Sequence, residues 1–381
     1  MKRIVILCDG TWNNADTRHP TNVVRLGQAL APTGGDGQAQ VPIYVEGVGT
    51  GRRGVTAVTR AVDRVLGGAM GLGLMENVIE AYRHLVFLHE PGDEVYVFGF
   101  SRGAYTARSL VGFIRFTGLL SRSALHHIPE AVERYSQRMI LTPERRQFRN
   151  AEWRAVHSPW VMTDPKDADV YAEFGADSAV PFDVAFLGVW DTVGALGVPG
   201  VFTAQPLFGR RYNFHDTDLS DMVRAARHAV AIDERRRAFR PTLWTNLDNL
   251  NAGRPDRPYR QEVFAGDHKA VGGGGDIRKL SALALAWMIE GAAEAGLDFD
   301  DLVRERILAE GDPLGPLSAD TVPSGGIFAQ IMRKLGGPRD PVARLEDVSL
   351  PARTRWAAGG YRPEGLSRVE AALQAWKDGQ G

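Results

Sequence analysis

A serine flanked by two glycines is the strongest chemical signal in the sequence. Ser101 lies in Gly99-Phe100-Ser101-Arg102-Gly103, after the best predicted strand, residues 94–100, and before an apolar helical pattern. In a G-x-S-x-G turn between strand and helix, the glycines avoid clashes and the serine hydroxyl projects from the sheet. The pattern therefore predicts a nucleophilic serine, and its alternative is a glycine-rich turn with a structural role only.

A nucleophilic serine needs a base and an acid, usually in the chain order Ser, Asp, His. Among nine histidines, His268 is the preferred base because it follows a short predicted strand and precedes the glycine run at residues 272–275. His228, in a segment with a helical pattern, is the alternative base. Asp191 follows a predicted buried strand and is the expected acid, although an aspartate at this position also suits a helix N-cap.

Backbone N–H groups near the serine are expected to stabilise an oxyanion. Arg102 would begin the helix after Ser101, where the helix dipole and the backbone N–H favour negative charge. The second donor is expected in the loop after the first strand, at Gly10, Thr11 or Trp12, and the alternative for this loop is a capped turn. Three residues next to these groups are predicted to contact the substrate: Asp9, Phe100 and Val193.

Strands and helices alternate along the chain. Strands are predicted at residues 4–8, 41–45, 94–100, 182–190 and 261–264, and helices at 22–30, 68–88, 104–113, 219–237 and 280–293. This order predicts an α/β fold, with a mainly parallel sheet of the α/β-hydrolase type and helices on both faces. Residues 1–295 are expected to form the catalytic domain, with a helical cap insertion at about 121–179, and residues 296–381 a helical extension packed on it. The apolar loop at 194–208 is a candidate acyl pocket or lid.

Composition excludes several classes of function. The chain has 45 basic and 46 acidic residues, so no global field favours nucleic acid, and the cluster Arg235-Arg236-Arg237 is interpreted as a solvated face or an ion-pair network. A single cysteine, Cys8, and the lack of Cys/His spacing for zinc predict no metal site, and no cofactor is expected.

The sequence contains neither a signal-peptide pattern nor an apolar stretch of membrane-spanning length. We therefore expect a cytoplasmic protein without stable membrane insertion, with export by a signal-less secretion system as the alternative. The oligomeric state is not predicted.

Four motifs and their order along the chain make the sequence resemble an α/β-hydrolase domain family of unknown function. This family is related to type VI secretion phospholipase effectors. They are Asp9-Gly10-Thr11-Trp12-Asn13, Gly99-Phe100-Ser101-Arg102-Gly103-Ala104, Asp191-Thr192-Val193, and Gly266-x-His268 before the glycine run. The resemblance covers roughly residues 1–295. It implies a serine esterase or lipase that acts on small-molecule or lipid esters, with Ser101 and His268 catalytic and Asp191 as the acid.

One departure from the family pattern affects the histidine motif. Many members have H-S-D-V-G-G-G, whereas this chain has Lys269 and Ala270 after His268 and lacks the aspartate two residues later. If that aspartate orients the histidine, activity is altered or the acid lies elsewhere. The alternative function is therefore a catalytically drifted binding or regulatory protein on a hydrolase scaffold.

Overall fold

Six parallel strands form a sheet at the centre of the protein. The computed structural model describes residues 1–10, 13–47, 67–137, 143–194, 217–321 and 336–379. The six longer strands pair in the order β2-β1-β3-β6-β7-β8, and each pairing among them is parallel. The strands are β1 Lys2–Cys8, β2 Ala39–Val45, β3 Glu94–Phe100, β4 Val161–Met162, β5 Val180–Pro181, β6 Val184–Trp190, β7 Val223–Ala231 and β8 Tyr259–Phe264.

Helices cover both faces of this sheet. They are α1 Asn22–Ala29, α2 Gly67–Leu88, α3 Arg102–Thr117, α4 Ile128–Ser136, α5 Pro143–His157, α6 Ala168–Glu173, α7 Leu247–Asn251, α8 His268–Gly272, α9 Lys279–Glu294, α10 Asp301–Glu310, α11 Leu350–Ala357 and α12 Glu370–Asp378. Short 3₁₀ helices occupy Arg122–His127, Pro165–Asp167, Arg237–Phe239, Leu345–Asp347 and Glu364–Val369. None of the helices within the described ranges is both long and apolar enough to cross a membrane.

The side chains of β1 show why the sheet is covered on both sides. Ile4 and Ile6 belong to one apolar core, which includes residues of α2 and α3. Val5 and Leu7 belong to the other core, which includes residues of α1 and α9. Because alternate residues of a strand point to opposite faces, an uninterrupted apolar strand requires helices on both. The predicted α/β fold with a mainly parallel sheet is confirmed.

The described part of the segment predicted as a cap, residues 121–179, is mainly helical and contains the short strand β4, which pairs in parallel with β5 directly after the segment. A buried ion pair joins its helices, because Arg154 Nε donates to Asp167 Oδ2 at 2.7 Å. The same guanidinium donates to the carbonyl oxygen of Phe116 at 2.9 Å, at the end of α3. The segment is thereby fixed to α3, the helix that follows Ser101.

The last helices pack against the edge strand β8. Val348, Trp356 and Leu373 form a separate apolar cluster there, and Ser349 N–H donates to Val263 O at 3.1 Å. The domain boundary predicted near residue 295 stays a prediction. Nearly all of the apolar loop at 194–208 lies outside the described residues.

The helix predicted at residues 219–237 is wrong, because this segment contains the buried strand β7. Its many alanines favour a helix intrinsically, and its apolar residues happen to recur at helical spacing. Tertiary packing decides otherwise, since β7 lies between β6 and β8 under α9. Arg227 of β7 is paired with Glu290 at 3.0 Å and with Glu294 at 2.7 Å on that helix, which explains a charged residue in a buried strand.

Candidate active site

The chain turns sharply at Ser101, between β3 and α3. Ser101 has a φ of 58° and a ψ of −121°, a backbone conformation that non-glycine residues rarely adopt and that stores strain. Its N–H donates to Trp190 O at 3.0 Å, which fixes the turn to the end of β6. Such a turn between strand and helix is the geometry expected of a nucleophile elbow.

The two glycines of the motif allow three backbone segments to approach closely. A Cβ atom at Gly103 would collide with the carbonyl oxygens of Cys8 and Asp9, in the loop after β1. A Cβ atom at Gly99 would collide with the backbone of Gly103. Only glycine fits at either position without a movement of the backbone.

We therefore expect Gly103→Ala to destabilise the protein by about 1–3 kcal/mol or more, because the new methyl group meets rigid carbonyl groups. Gly35→Ala is the matched control, since a Cβ atom at Gly35 meets nothing within 4 Å. The measurement is the free energy of unfolding in urea. Equal losses in the two variants would contradict the close packing of the turn.

Asp191 and His268 form a short hydrogen bond. The His268 Nδ1–H group donates to Asp191 Oδ2 at 2.6 Å, and both side chains are buried. Asp191 follows β6 with a φ of 40°, and its Oδ1 accepts the N–H of Ala231 at 3.0 Å. His268 is the first residue of α8, whose N-cap is Asp267. The structure thus joins the predicted acid and the predicted base.

Aromatic rings enclose the imidazole of His268. The ring of Phe100 lies 4.6 Å from it between centroids and is inclined by 31°, and the ring of Phe239 lies 4.8 Å from it at 76°. Gly272 leaves the space that Phe100 occupies, because a Cβ atom there would overlap this ring. These contacts and the bond to Asp191 restrict the imidazole to one orientation.

Ser101 reaches this pair through its neighbours. Phe100 packs on the imidazole, and the N–H of Val193 donates to Ser101 O at 3.3 Å. Among the hydrogen bonds of the described residues, none joins the Ser101 hydroxyl to His268. In ligand-free structures such a bond is often long and tightens only with substrate bound.

Arg339 is a site residue that sequence reasoning missed. Its guanidinium forms a two-pronged ion pair with Asp191, contacting Oδ1 through Nη1 and Oδ2 through Nη2 at 2.9 Å. Burial alone would raise the pKa of Asp191, but the charge of Arg339 and the hydrogen bonds from His268 and Arg339 outweigh it, so this pKa is lowered. No motif in the sequence marks Arg339, which lies far from the other site residues along the chain.

The loop after β1 lies against the serine turn. A Cβ atom at Gly10 would lie 3.3 Å from both Ser101 Cβ and Phe100 O. Asp9 supports the loop, because its carboxylate accepts hydrogen bonds from the Gly10 N–H at 2.7 Å and from the hydroxyls of Thr21 and Tyr44. The Gly10 N–H is thus already engaged. Two further predicted donors, Thr11 and Trp12, lie outside the described residues.

The hydrogen bonds of Asp9 do not fully offset its burial. Burial raises the pKa of this carboxyl to about 6, although the bonds from Tyr44, Gly10 and Thr21 lower it in part. The protonated form is therefore favoured in the folded protein relative to an unfolded chain, whose aspartate has a pKa of about 3.9. The contribution of Asp9 to stability is fully present below that unfolded value and is lost as the pH rises through about 6.

We expect Asp9→Asn to become more stable relative to the wild type, by about 2–3 kcal/mol, as the pH rises from about 4 to about 7. The reason is that asparagine does not ionise and so loses nothing over this range. The measurement is the urea unfolding free energy of both proteins across the range, with the exposed Asp256→Asn as control. A constant difference between Asp9→Asn and the wild type would contradict the raised pKa.

The alternative base, His228, lies in strand β7 and not in a helix as predicted. Its Nε2 accepts the N–H of Thr192 at 3.2 Å, and its Nδ1 lies 2.9 Å from Gln261 Oε1. Burial, together with the nearby charge of Arg108, lowers its pKa to about 3, which keeps it neutral. Both ring nitrogens are occupied, Nε2 by the segment after Asp191 and Nδ1 by Gln261 of β8, so His228 acts as a structural residue.

The loss of the family's aspartate at position 270 does not leave His268 without an acid. Ala270 is buried beside Leu280 and Ala319, and its N–H is capped by Asp267 at 3.0 Å. Asp191 already contacts the Nδ1 atom of the imidazole. In the part of the chain that the structure describes, no group of three or more His, Cys, Asp or Glu residues is arranged to hold a metal ion.

Comparisons with known proteins agree with the resemblance seen in the sequence. A family model described as "T6SS, Phospholipase effector Tle1-like, catalytic domain" matches residues 2–291. The chain is also 29% identical over 270 residues to the uncharacterised protein YEL023C of Saccharomyces cerevisiae. This alignment covers 69% of this chain and 34% of that protein. The chain therefore spans about a third of the length of this relative.

Two solved structures are similar to the chain. One is the crystal structure of an uncharacterised protein from Pseudomonas aeruginosa, with 18% identity and a TM-score of 0.44, which covers 100% of this chain and 59% of that one. The other is the Tle1 effector bound to the VgrG spike from the type 6 secretion system, with 19% identity and a TM-score of 0.37, which covers 73% of this chain and 52% of that one.

Proposed function

Because the chain belongs to the family of type VI secretion phospholipase effectors with a Tle1-like catalytic domain, we propose that it is a serine hydrolase for the carboxylic esters of phospholipids. The observation that carries this proposal is the 2.6 Å hydrogen bond between His268 and Asp191, next to the strained turn at Ser101. The Ser-His-Asp triad uses these three residue types, with the acid on one imidazole nitrogen and the serine facing the other.

In the proposed mechanism, Ser101 Oγ attacks the ester carbonyl carbon while His268 Nε2 takes the hydroxyl proton. The tetrahedral intermediate collapses, and His268 returns the proton to the leaving alkoxide, which departs as a lysophospholipid or an alcohol. Water then attacks the acyl-enzyme with the same base, releases the fatty acid and restores Ser101. Asp191 keeps the proton of the neutral imidazole on Nδ1 and stabilises the imidazolium that forms in each step.

The oxyanion of both intermediates is assigned to two backbone donors. The first is the N–H of Arg102, at the start of α3, where the positive end of the helix dipole favours negative charge. Since the Gly10 N–H donates to Asp9, the second donor is assigned to Thr11 or Trp12. Direct substrate contacts of Asp9, Phe100 and Val193 stay predictions, and Phe100 also positions His268.

The location of the protein belongs to the same proposal. The sequence predicts the cytoplasm, with export by a signal-less secretion system as a further route. The family name adds the type VI secretion system as that route.

The test is covalent labelling followed by product analysis. We expect a fluorophosphonate to label the wild type at Ser101, and phospholipid vesicles to yield free fatty acid and lysophospholipid. Release of a phosphorylated headgroup with intact diacylglycerol would contradict acyl-ester cleavage. If Ser101 remained unlabelled and no ester turned over, the drifted binding or regulatory protein would replace the hydrolase.

A further inference from the structure

A large basic cavity is lined in part by Arg339 and contains none of the three proposed catalytic residues. It has a volume of about 860 Å³, within the range of small-molecule binding sites. Neither Ser101 nor His268 lines it. We call it the arginine pocket after six of its lining residues: Arg235, Arg236, Arg237, Arg240, Arg339 and Arg344.

The cations of this pocket exceed its anions. Four acidic residues also line it: Glu234, Asp248, Asp340 and Asp347. Arg236 is paired with Glu234 at 2.7 Å, and Arg344 with Asp248 at 2.8 Å. Arg339 is paired with Asp191. The side chains of the other three arginines form neither hydrogen bonds nor ion pairs within the described ranges, and all three are exposed: Arg235, Arg237 and Arg240. The pocket therefore has unused guanidinium groups, which suit the geometry of phosphate oxygens.

A buried donor in the same pocket also lacks an acceptor. Arg339 is only 9% exposed, and while two of its nitrogens contact Asp191, its Nε has no hydrogen-bond partner among the described residues. A buried N–H group without an acceptor is unfavourable. The Nε–H group is enclosed by protein, so a ligand oxygen in the pocket would accept from it only after a shift of the guanidinium.

Part of the remaining wall is apolar. Leu243, which is 40% exposed, Trp244 and Leu247 line the cavity together with several prolines. An inorganic ion would leave this wall in contact with water, whereas an organic phosphate ester would cover it. The cavity thus combines guanidinium groups with an apolar side.

We propose that the arginine pocket binds a phosphate group, carried by a soluble phosphate ester or by a lipid headgroup. This proposal adds a ligand to Arg235-Arg236-Arg237, whose sequence pattern indicates a solvated face or an ion-pair network. The site is independent of the hydrolase proposal, because its residues are separate from Ser101 and His268. Binding there is coupled to the candidate active site through Arg339, which contacts Asp191, and through Phe239, which lies under Arg236 and against His268.

Calorimetric titration of the full chain tests the proposal, with inorganic phosphate and glycerol 3-phosphate as soluble probes. Vesicles of phosphatidylglycerol or of phosphatidylcholine, analysed by co-sedimentation, test the lipid source. The double variant Arg237→Gln/Arg240→Gln removes two unpaired, exposed cations. Arg304→Gln/Arg306→Gln removes two exposed cations from α10 and is the control matched in charge.

We expect the pocket variant to bind the favoured probe about tenfold more weakly than the wild type, and the α10 variant to bind it as the wild type does. Weakened binding of soluble phosphates would assign the pocket to a free ester, and weakened binding of vesicles to a lipid headgroup. If no probe bound to the wild type, or if both variants lost the same affinity, the proposal would be overturned. Because inorganic phosphate and glycerol 3-phosphate contain no carboxylic ester, an inactive protein that binds either of them would contradict the hydrolase proposal alone.

Discussion

Replacing Ser101 with alanine is expected to lower kcat/KM for carboxylic esters by about 10³- to 10⁶-fold, the range found when a catalytic serine is removed. The residual rate would come from substrate binding and oxyanion stabilisation, which the substitution leaves in place. Serine and alanine share the Cβ atom, so the strained turn at Ser101 is retained and the fold is expected to persist. The measurement is p-nitrophenyl ester hydrolysis over short and long acyl chains.

Ser109→Ala is the matched control for this prediction. Ser109 lies in the same helix, α3, and is as buried as Ser101, with exposures of 5% and 7%. We expect this variant to keep its activity within about threefold, because its hydroxyl lies outside the proposed site. Turnover that Ser101→Ala leaves unchanged would show that another group performs the chemistry.

The apolar pattern of the sequence correctly predicts the central strands of the sheet. The strands β1, β3 and β6 are continuous apolar runs buried on both faces, and their predicted positions differ from the observed ones by two residues at most. The pattern of β7 predicts a helix because alanine and arginine favour helices intrinsically, whereas the position of β7 between β6 and β8 is a property of the whole sheet. The family resemblance is confirmed by the match over residues 2–291.

In the candidate site, too, the residues with a local sequence signal could be predicted, and the residue that depends on distant packing could not. Ser101, Asp191 and His268 each follow a strand of the same parallel sheet, and the carboxyl ends of parallel strands meet at one edge. Sequence order alone therefore suffices to propose that they meet. Arg339 follows no strand, and its contact with Asp191 depends on how the last helices pack on β8. Such a contact has no local signal in the sequence.

The ion pair between Arg339 and Asp191 has two opposing consequences for catalysis. Arg339 shares the carboxylate that would stabilise a positive His268, which weakens that stabilisation. It also compensates a carboxylate that is fully buried, for which the uncompensated penalty is several kcal/mol. The hydrogen bonds from His268 and Ala231 do not match the effect of a full charge at this depth. We therefore expect that compensation dominates and that Arg339 positions the acid.

On this argument, Arg339→Gln should lower kcat by about 10- to 100-fold and change KM by less than about twofold. The pKa of Asp191, which Arg339 holds below its ordinary value, should rise in the variant. As the pH is lowered, the activity of the variant should therefore begin to fall at a higher pH than that of the wild type. Arg339→Lys should recover part of the lost kcat and part of this shift in the pH profile. The free energy of unfolding is expected to drop by about 3–5 kcal/mol, because a buried carboxylate loses its partner.

Arg362→Gln provides the comparison, since Arg362 also lies near the end of the chain but pairs with the exposed Glu370, away from the arginine pocket. A loss of stability in Arg339→Gln without any change in the pH profile would reduce Arg339 to a structural residue. A higher kcat in Arg339→Gln would mean that competition for the carboxylate outweighs its compensation. In that case, a phosphate group that draws Arg339 away from Asp191 would activate the enzyme, whereas under the expected result it would inhibit it.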